Sequence, residues 1–421
     1  MAMTAVSKII AARAGLSEVE PGQFVSAKVD LVMCNDITAP LAVQTVKDLG
    51  VKKVFDKDKI TFVESHYVPA KDIASAINVQ ELREFVKEQD ITWFFPNSRG
   101  GIEHSLLPEE GVVVPGQLIV GADSHTPTYG ALGNFAAGFG STDAGIAMAT
   151  GEVWLRVPET IKVNLVGTKH PWVVGKDLVL KVIGEIGVEG ANYQILEYHG
   201  EVLQQISVDD RLTIANMAAE AQAKGAFFHV DDITREYIKD RAKFPVEIFE
   251  SDPDVKYIRE VTIDVTGMEP QVAFPYSPDN VHPLRDALGV KPAQVFIGSC
   301  TNARISDMRV VASIMKGKQV HRDVQCIIIP ATQAIYKQAL KEGLIEIFAE
   351  AGAVVAAGTC GPCLGGYMGV MGPNDVCIST SNRNFPGRMG HKDARVYLAN
   401  PAVAAAAAVA GEIVPPESIQ G

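Results

Sequence analysis

The sequence contains no hydrophobic run long enough to cross a membrane. Its longest apolar stretch, residues 401–410, is rich in alanine and is about half as long as the ~20 residues that a spanning helix needs. Residues 1–16 interrupt their apolar positions with Lys8 and Arg13 and lack the continuous hydrophobic region and cleavage site of a signal peptide. These absences predict a protein that is neither secreted nor inserted in a membrane, and a packing helix at residues 401–410.

Positive charge is also scarce. The chain has 38 lysines and arginines against 50 aspartates and glutamates, a formal net charge of −12. It shows no basic stripe with interleaved aromatic residues. A surface built to neutralise phosphates needs an excess of positive charge, so nucleic acid is not an expected partner.

Cysteine is sparse, with six residues unevenly spaced along 421. This pattern does not resemble the disulfide framework of a small secreted domain, and it favours a reducing cytoplasm. Cys326 and Cys377 lie within apolar stretches, where small buried thiols are common. With 47% apolar residues, the chain is long enough for two or three domains with buried cores.

Three of the cysteines form a distinctive set. Cys300 lies in Gly-Ser-Cys-Thr-Asn, and Cys360 and Cys363 lie in Thr-Cys-Gly-Pro-Cys. A structural zinc site closes with four ligands. Iron–sulfur clusters are normally held by four cysteines, so three would leave one iron open to act as a Lewis acid. A Cys-x-x-Cys pair alone can also be a redox dithiol, half of a zinc site or two buried thiols.

The surroundings of these cysteines favour a cluster. Residues 294–298, just before Cys300, read as a buried strand, and a helix is predicted from Ile305 to Gly317. Cys360 and Cys363 follow a second apolar strand, residues 353–357, in a turn rich in glycine and proline. The carboxyl ends of strands in open α/β sheets converge on the ligand crevice, so the three thiols are expected to meet there.

The pattern of strands and helices predicts an α/β protein with mostly parallel sheets. Residues 1–160 alternate strand-like and helical stretches, and residues 161–265 open with an alternating strand. Residues 266–282 carry three prolines and little periodicity, which predicts an interdomain linker. From residue 283 to 421, strands alternate with helices in the manner of a parallel sheet with crossovers.

Several polar motifs accompany the cysteines: Asp-Ser-His-Thr at 123–126, Glu-Tyr-His-Gly at 197–200 and Ser-Asn-Arg-Asn-Phe at 381–385. Together and in this order they resemble the aconitase superfamily over essentially the whole chain. The resemblance implies three α/β/α domains around a central cleft that holds a [4Fe-4S] cluster with three cysteine ligands, Cys300, Cys360 and Cys363, and one open iron. It also implies a hydro-lyase that removes and re-adds water on a hydroxy di- or tricarboxylic acid.

The resemblance assigns catalytic roles to five residues. His66 matches the histidine that protonates the leaving hydroxyl, and His104 and the Asp123–His125 pair match positions around the iron-bound water. A carboxylate beside an imidazole fixes its tautomer and raises its pKa, which suits proton transfer near neutral pH. Glu197 matches the glutamate that hydrogen-bonds to the water or hydroxyl on iron.

Binding roles fall on five others. Arg383 and Arg388 match positions that bind substrate carboxylates, for which the planar guanidinium is suited. Ser124 and Asn35 match positions near the substrate, although Asn35 reads equally well as a turn residue bonded to local backbone. Asn382 is expected to support the cluster.

One motif departs from the family. Ser65 precedes His66, where the family usually has aspartate. A hydroxyl orients an imidazole without adding negative charge, so His66 is expected to be a weaker proton acceptor than its relatives. The glycine-rich run at residues 129–145 lacks the phosphate-loop patterns and is expected to pack beside the cluster. The five remaining histidines outside these motifs and the Glu-Tyr-His-Gly run read as ordinary surface or core residues: His170, His229, His282, His321 and His391.

The family's mobile fourth domain has no counterpart after Ala410, so a separate small subunit is the expected partner, closing over the cluster. The two-subunit branch includes 3-isopropylmalate dehydratase of leucine biosynthesis, homoaconitase and dimethylmalate or citramalate-type dehydratases. Family frequency alone favours the first as the expected activity. Two alternatives from other classes are a zinc-stabilised binding protein and a regulatory RNA-binding relative.

Overall fold

The computed structural model describes residues 2–419. Within them, three mostly parallel sheets of five, four and seven strands lie between helices, and two further strands form a small antiparallel ribbon. The predicted α/β class with mostly parallel sheets is confirmed. No helix in residues 2–419 has both the length and the apolar character that crossing a membrane requires.

The amino-terminal region contains the five-stranded sheet. Its strands, all parallel, are β2 (Leu31–Asn35), β3 (Ile60–Val63), β4 (Trp93–Phe95), β5 (Leu118–Gly121) and β6 (Phe135–Gly138). The ribbon pairs β1 (Phe24–Lys28) with β7 (Glu152–Arg156). The helices are α1 (Ala5–Ala14), α2 (Ala39–Asp48), α3 (Ile73–Gln89), α4 (Glu103–Glu109) and α5 (Ser141–Thr150).

The order of this sheet, β4-β3-β2-β5-β6, marks a doubly wound fold. The chain moves outward from β2 to β4, returns to place β5 beside β2 and continues to β6. The reversal lies between β2 and β5, and ligands of open α/β sheets bind beyond the carboxyl ends of the strands at such a point. Both strands are entirely buried, as expected for a sheet covered on both faces.

The middle region contains four parallel strands in the order β10-β9-β8-β11. They are β8 (Thr160–Val166), β9 (Ile195–His199), β10 (Gly225–Phe228) and β11 (Arg259–Asp264), and the helices are α6 (Gly175–Ile186), α7 (Val208–Met217) and α8 (Asp232–Ile238). Residues 239–258 form no regular helix or strand. This irregular segment reaches back to the first turn of α1, where Asp252 accepts hydrogen bonds from the Met3 amide at 2.8 Å and from Lys8 at 2.5 Å.

The carboxy-terminal region contains seven strands in the order β13-β12-β18-β17-β14-β15-β16. They are β12 (Gln271–Ala273), β13 (Val281–Pro283), β14 (Gln294–Ile297), β15 (Gln325–Ile328), β16 (Val354–Val355), β17 (Val376–Ser379) and β18 (Arg395–Leu398). Its helices are α9 (Ile305–Met315), α10 (Gln333–Lys341), α11 (Leu344–Glu350) and α12 (Pro401–Ala410). The chain reverses direction between β14 and β17, so this sheet has its own switch point.

Residues 266–282 were expected to form an interdomain linker, but they form part of the third sheet. This segment contains β12 and most of β13, and β12 pairs antiparallel with both β13 and β18. Strands of three residues are too short to show a period, and their pairing is decided by distant neighbours rather than by local preference. The segment therefore belongs to the third sheet.

The alanine-rich stretch forms α12, as the sequence analysis expected. Asn400 caps it by accepting a hydrogen bond from the Val403 amide at 2.9 Å, and Gly411 ends it in the left-handed region at φ 79°. The helix packs against α9 and β14, and Ala404 through Ala408 are fully buried. Small side chains let this helix lie close to the strand that leads to Cys300.

Candidate functional site

The two switch points meet at one cavity of about 220 Å³. The first sheet contributes Asn35 at the end of β2, His66 after β3 and Asp123 after β5. The third sheet contributes Cys300 after β14 and Asn382 after β17. The carboxyl edges of two separate sheets thus face the same space.

Eleven of the thirteen residues singled out from the sequence line this cavity: Asn35, His66, His104, Asp123, Ser124, His125, Cys300, Cys360, Cys363, Asn382 and Arg388. Arg383 lines a neighbouring cavity of about 480 Å³ that shares Asp123 and Ser124 with the first. Glu197 lines neither cavity.

The three thiols are buried at the third-sheet side. Cys300, Cys360 and Cys363 are 3%, 6% and 4% exposed, and Cys360 and Cys363 lie on a short 3₁₀ turn. Burial raises the pKa of Cys300 to about 12 and that of Cys360 well above its ordinary value. Thiolates at these positions therefore need a metal cation beside them, which deprotonates a coordinating thiol.

Polar groups surround the sulfurs. Asn216 Nδ2 and Asn382 Nδ2 lie 3.1 Å and 3.4 Å from Cys300 Sγ, and Arg388 Nη2 lies 3.7 Å from Cys363 Sγ. Hydrogen bonds to sulfur tune iron–sulfur centres. The donors suit a negatively charged sulfur-bound group better than two or three neutral thiols.

Two buried polar atoms at the cavity are left without hydrogen-bond partners among residues 2–419. They are Glu103 Oε2 and Arg388 Nε, and both residues line the cavity. A buried polar group without a partner calls for an explanation such as a bound ion or ligand. The donor set of three sulfurs, a free carboxylate oxygen and a free guanidinium nitrogen fits an iron–sulfur group with an anionic ligand.

A histidine–carboxylate pair lies on the first-sheet side. His104 Nε2 is 2.8 Å from Asp123 Oδ1, and His104 Nδ1 is 3.1 Å from the hydroxyl of Tyr129. Burial disfavours the charged imidazole, but Asp123 and the charge of Glu103 outweigh it, so the pKa of His104 is raised. Burial likewise opposes the charge of Asp123, but hydrogen bonds from His104 and His125 hold the pKa of Asp123 well below its usual range. The His104–Asp123 pair can hold a proton on Nε2 of His104.

His66 is oriented by its own turn. Ser65 Oγ lies 2.8 Å from His66 Nδ1, so a hydroxyl stands where the family usually has a carboxylate. Asp36 accepts hydrogen bonds from the backbone amides of Ser65, His66 and Tyr67, each at 2.8 Å. These contacts leave His66 Nε2 4.0 Å from Asp123 Oδ2. Asp36 therefore shapes the turn that presents His66.

The His66 turn is joined to the cysteine turn by backbone groups. The Cys360 amide donates to the Ser65 carbonyl at 2.7 Å, and the Thr359 hydroxyl donates to the His66 carbonyl at 3.0 Å. These bonds link the first region to the third. The position of His66 therefore depends on the position of a proposed cluster ligand.

Asn35 bonds to its own turn and also lines the cavity. Its Oδ1 accepts from the amides of Ile37 and Thr38 at 3.0 Å and 3.1 Å, as in a turn. Its Nδ2 donates to Glu103 Oε1 at 3.1 Å inside the cavity. Glu103 was not assigned a role from the sequence, although it immediately precedes His104.

Glu220 is the second carboxylate that sequence reasoning missed. Its Oε1 lies 2.8 Å from His125 Nε2, and both of its oxygens lie 2.9 Å from Arg383 Nε. Burial opposes its charge, but Arg383 and His125 outweigh this effect, and the pKa of Glu220 is lowered. Asn216, near the end of α7, and Glu220, in the 3₁₀ turn Ala218–Ala221 that follows it, are four residues apart, a spacing that places helical side chains on one face. Two polar residues at this spacing within an apolar stretch are the sequence signal that could have identified Asn216 and Glu220 as site residues.

Glu197 lies on β9, away from both cavities. Its Oε1 lies 2.9 Å from His199 Nε2, 3.0 Å from His229 Nε2 and 2.7 Å from the Tyr257 hydroxyl. These partners lie on the middle sheet and on the irregular segment. Glu197 was expected to hydrogen-bond to the water or hydroxyl on iron, but it does not line the cavity. Glu220 is the glutamate that contacts His125.

The glycine-rich run packs tightly next to the site. A Cβ on Gly138, at the end of β6, would lie 2.7 Å from the Asp123 carbonyl oxygen, which is closer than real contacts allow. A side chain there would displace the turn that carries Asp123. This close approach agrees with the packing role expected for residues 129–145.

Comparisons with known proteins agree on the family. Residues 7–411 match the sequence model of the aconitase family (aconitate hydratase). The chain is 56% identical to a 3-isopropylmalate dehydratase large subunit from Aquifex aeolicus, over 100% of this chain and 98% of that protein. Proteins of the same name from Moorella thermoacetica and Pyrococcus abyssi are 55% and 53% identical, each over the full length of both chains.

A solved structure supports the fold. The holo-form of aconitase X from Thermococcus kodakaraensis aligns with a TM-score of 0.50, covering 85% of this chain and 84% of that one, at 13% identity. At this identity the likeness concerns the fold alone.

Proposed function

This chain belongs to the aconitase family, and we propose that it is the cluster-bearing large subunit of a hydro-lyase, a 3-isopropylmalate dehydratase. Family membership implies an iron–sulfur cofactor. Three relatives that share more than half of their residues with this chain over nearly their full length carry this name. Their agreement supports the substrate class, a hydroxylated dicarboxylic acid.

The observation that carries the proposal is the meeting of three thiols and two histidine–carboxylate contacts in one cavity. A redox dithiol needs only a pair of cysteines and an accessible thiolate, and a structural zinc closes with four ligands. We assign Cys300, Cys360 and Cys363 as ligands of a [4Fe-4S] cluster with one iron that has no protein ligand. Such a group, when bound, supplies a Lewis acid that weakens a carbon–oxygen bond.

The first-sheet residues handle protons in this proposal. Elimination of water takes a proton from carbon and delivers one to the departing hydroxyl, so the site needs both a base and an acid. We assign delivery to His66 Nε2, with Ser65 fixing the ring through Nδ1, and we assign removal of the proton from carbon to a base on the small subunit. The His104–Asp123 pair holds a proton at Nε2 of His104 and orients the departing water. His125, paired with Glu220, completes this polar wall.

Arginines and amides bind the substrate. Arg388 lines the cluster cavity with an unpartnered Nε and suits bidentate pairing with a carboxylate. Arg383, held by Glu220, lines the adjoining cavity and can meet the second carboxylate. Ser124 is shared by both cavities, and Asn35 reaches the substrate side through Glu103. Asn382 supports the sulfurs.

A small subunit completes the enzyme in this proposal. The relatives are named as large subunits, and the partner would close the cavity and exclude water. Because the part of the substrate that distinguishes related acids would contact the partner, homoaconitase and dimethylmalate or citramalate-type activities are the alternatives. The six unpaired cysteines support a cytoplasmic location.

The test uses the full chain purified without oxygen, with and without its small subunit. Iron and sulfide should be present in the isolated chain, while turnover should appear only in the reconstituted pair. Among 3-isopropylmalate, homocitrate, citrate, 2,3-dimethylmalate and citramalate, the first should give the highest kcat/KM. A different preferred acid would overturn the substrate assignment, and full turnover by the isolated chain would overturn the subunit assignment.

Metal analysis tests the cofactor. A chain that contains no iron and accepts none from iron and sulfide would contradict the cluster proposal. Zinc that replaces iron and is lost in Cys363→Ser would support a zinc-stabilised protein instead. RNA that stays bound at modest salt would support an RNA-binding relative.

A further inference from the structure

We propose that Glu197, His199 and His229 form a second metal site, for a divalent ion such as zinc, on the middle sheet. Glu197 and His199 are alternate residues of β9, so their side chains project from the same face. Phe228 pairs with Tyr198 in the parallel register of β10 and β9, so His229 follows beside His199. One ligand atom from each of the three residues lies within 4.8 Å of the others.

The hydrogen bonding around Glu197 points to a missing cation. His199 Nε2, His229 Nε2, Ser251 Oγ and Tyr257 Oη lie 2.9, 3.0, 2.9 and 2.7 Å from the same oxygen, Oε1. A carboxylate oxygen offers about two lone-pair sites. Ser251 Oγ can turn to the other oxygen, Oε2, at 3.0 Å. This still leaves His199, His229 and Tyr257 on Oε1, one more than its lone-pair sites, whereas a cation at their meeting point could be bound by the two imidazoles and the carboxylate together.

A second carboxylate orients His229 for metal binding. Glu250 Oε2 lies 2.6 Å from His229 Nδ1, and an ionised carboxylate only accepts hydrogen bonds. Nδ1 therefore carries a proton, and the neutral ring turns its Nε2 lone pair toward Glu197. Carboxylate–histidine–metal triads are built in this way. Without a cation, that lone pair would face a negative oxygen.

A proton is the competing occupant. A doubly protonated His229 could donate to Glu197 and Glu250 at once. Even with Ser251 on Oε2, it would leave His199, His229 and Tyr257 together on Oε1 of Glu197. The crowding therefore favours a metal ion over a proton, and the two are separable by experiment.

The ligand set indicates the class of metal. Two imidazoles and one carboxylate bind zinc in sites that keep a position open, and they also suit iron(II) and related divalent ions. The site contains no thiol and is distinct from the cysteine cavity. The side chains of His199 and His229 are 26% and 25% exposed, so an ion can enter from solvent.

A metal ion at this site would stabilise the contact between the middle sheet and residues 239–258. The site lies where β9 and β10 meet the irregular segment 239–258, which supplies Ser251 and Tyr257. Ser251 Oγ also accepts a hydrogen bond from the Ala5 amide at 2.8 Å, at the start of α1. A bound ion would therefore tie the middle sheet to the segment that holds the amino-terminal helix, and its removal should affect stability more than turnover.

The test measures zinc bound by the full chain with its cluster in place. Wild-type protein is dialysed anaerobically against zinc, and zinc and iron are measured together. Wild type should retain one zinc per chain without losing iron. His199→Gln and His229→Gln should each weaken zinc binding at least tenfold. His282→Gln, which changes a histidine outside the site whose side chain is 42% exposed, should bind like wild type.

Two results would overturn the inference. One is that wild type retains no zinc, and the other is that the two variants retain it as tightly as wild type. Because the variants could fold poorly, anomalous scattering at the zinc edge from wild-type crystals soaked in zinc gives a second measurement. A peak between the two histidines supports the site. A peak only at the cysteines, or no peak, contradicts it.

Discussion

The carboxyl edges of the first and third sheets are built alike but carry different chemistry. Both sheets reverse their strand order at the edge that faces the cavity. The first edge presents nitrogen and oxygen groups: His104 is bonded to Asp123 at 2.8 Å, and His66 Nε2 lies 4.0 Å from the same carboxylate. The third edge presents sulfur, together with an amide and a guanidinium that approach the sulfurs.

This difference suggests a division of labour across the cavity. In the proposed function, the third edge holds a cofactor and substrate charge, whereas the first edge moves protons. Substitutions on the two sides should therefore fail in different ways, one by losing iron and the other by losing turnover with iron retained. The predictions that follow test this separation.

The largest effect is expected on the third edge. Cys363→Ser should lose iron and lower activity by about 10³-fold or more, because a Lewis acid contributes several kcal/mol to transition-state stabilisation. Iron analysis and kcat measure both consequences. Cys326→Ala, which changes a buried thiol in β15, should keep its iron. Full iron content in Cys363→Ser would remove that cysteine from the ligand set.

On the first edge, His104→Asn should lower kcat by about 10²- to 10⁴-fold, the usual contribution of a positioned acid or base. Asparagine can still bond to Asp123, and the iron content should stay at the wild-type value. If iron is lost together with activity, the two edges do not have separate roles and the comparison fails.

The middle region should behave like the first edge. Glu220→Gln weakens the contacts with His125 and Arg383, and hydrogen bonds to charged groups contribute about 1.5–3 kcal/mol. We expect kcat/KM to fall about 10- to 100-fold with iron retained. Glu185→Gln, at an exposed position on α6, is the matched control. Wild-type kinetics in Glu220→Gln would show that the contacts of Glu220 with His125 and Arg383 do not contribute to turnover.

A smaller effect is expected where the two edges touch. Ser65→Ala removes the hydroxyl beside His66 Nδ1, and one neutral hydrogen bond contributes about 1 kcal/mol, or roughly fivefold in kcat. Ser65→Thr keeps a hydroxyl and should restore most of kcat. An equal loss in both variants would indicate a packing effect instead of orientation of the ring.

No effect on activity is expected from a substitution away from both edges, such as one at Asp231. Burial alone would raise the pKa of Asp231, but hydrogen bonds from Arg211 and Thr234 outweigh it and lower the pKa from 3.8 to about 2. A lowered carboxyl pKa stabilises the fold above the unfolded value of 3.8, and this stabilisation is lost as the pH falls through about 2.

Asp231→Asn should therefore reduce the free energy of unfolding at pH 7, by about 1 kcal/mol because solvent screens this partly exposed carboxylate, with kcat unchanged. Denaturant unfolding from pH 7 down to the acid limit measures the difference, which should shrink toward low pH. Asp232→Asn, at the exposed neighbouring position, should show little change. A loss of kcat in Asp231→Asn would extend the functional region beyond the two edges.

Much of this arrangement could be predicted from the sequence because it follows local rules. Apolar strands followed by cysteine-bearing turns predicted that Cys300 and the Cys360–Cys363 pair meet at strand ends, and all three line the cavity. The alternation of strands and helices predicted the fold class. Each of these signals lies within one short stretch of the chain, such as residues 294–300 or 353–363, and needs no knowledge of distant packing.

Other features depend on contacts between distant segments. Glu197 and Glu220 both lie in apolar stretches. Only the packing of the 3₁₀ turn after α7 against the first and third regions brings Glu220 to Arg383, which is 163 residues away. The short strands β12 and β13 are likewise defined by partners far along the chain. His229 has no motif of its own, and only its pairing beside β9 reveals its neighbours.

The hydrogen bonds from the Cys360 amide to the Ser65 carbonyl and from the Thr359 hydroxyl to the His66 carbonyl make two loops that are distant in the sequence into one mechanical unit. Chimeras between relatives must therefore exchange residues 64–68 and 358–364 together. A hybrid that carries only one loop of the pair would lose the match between its halves even if every side chain at the site were kept.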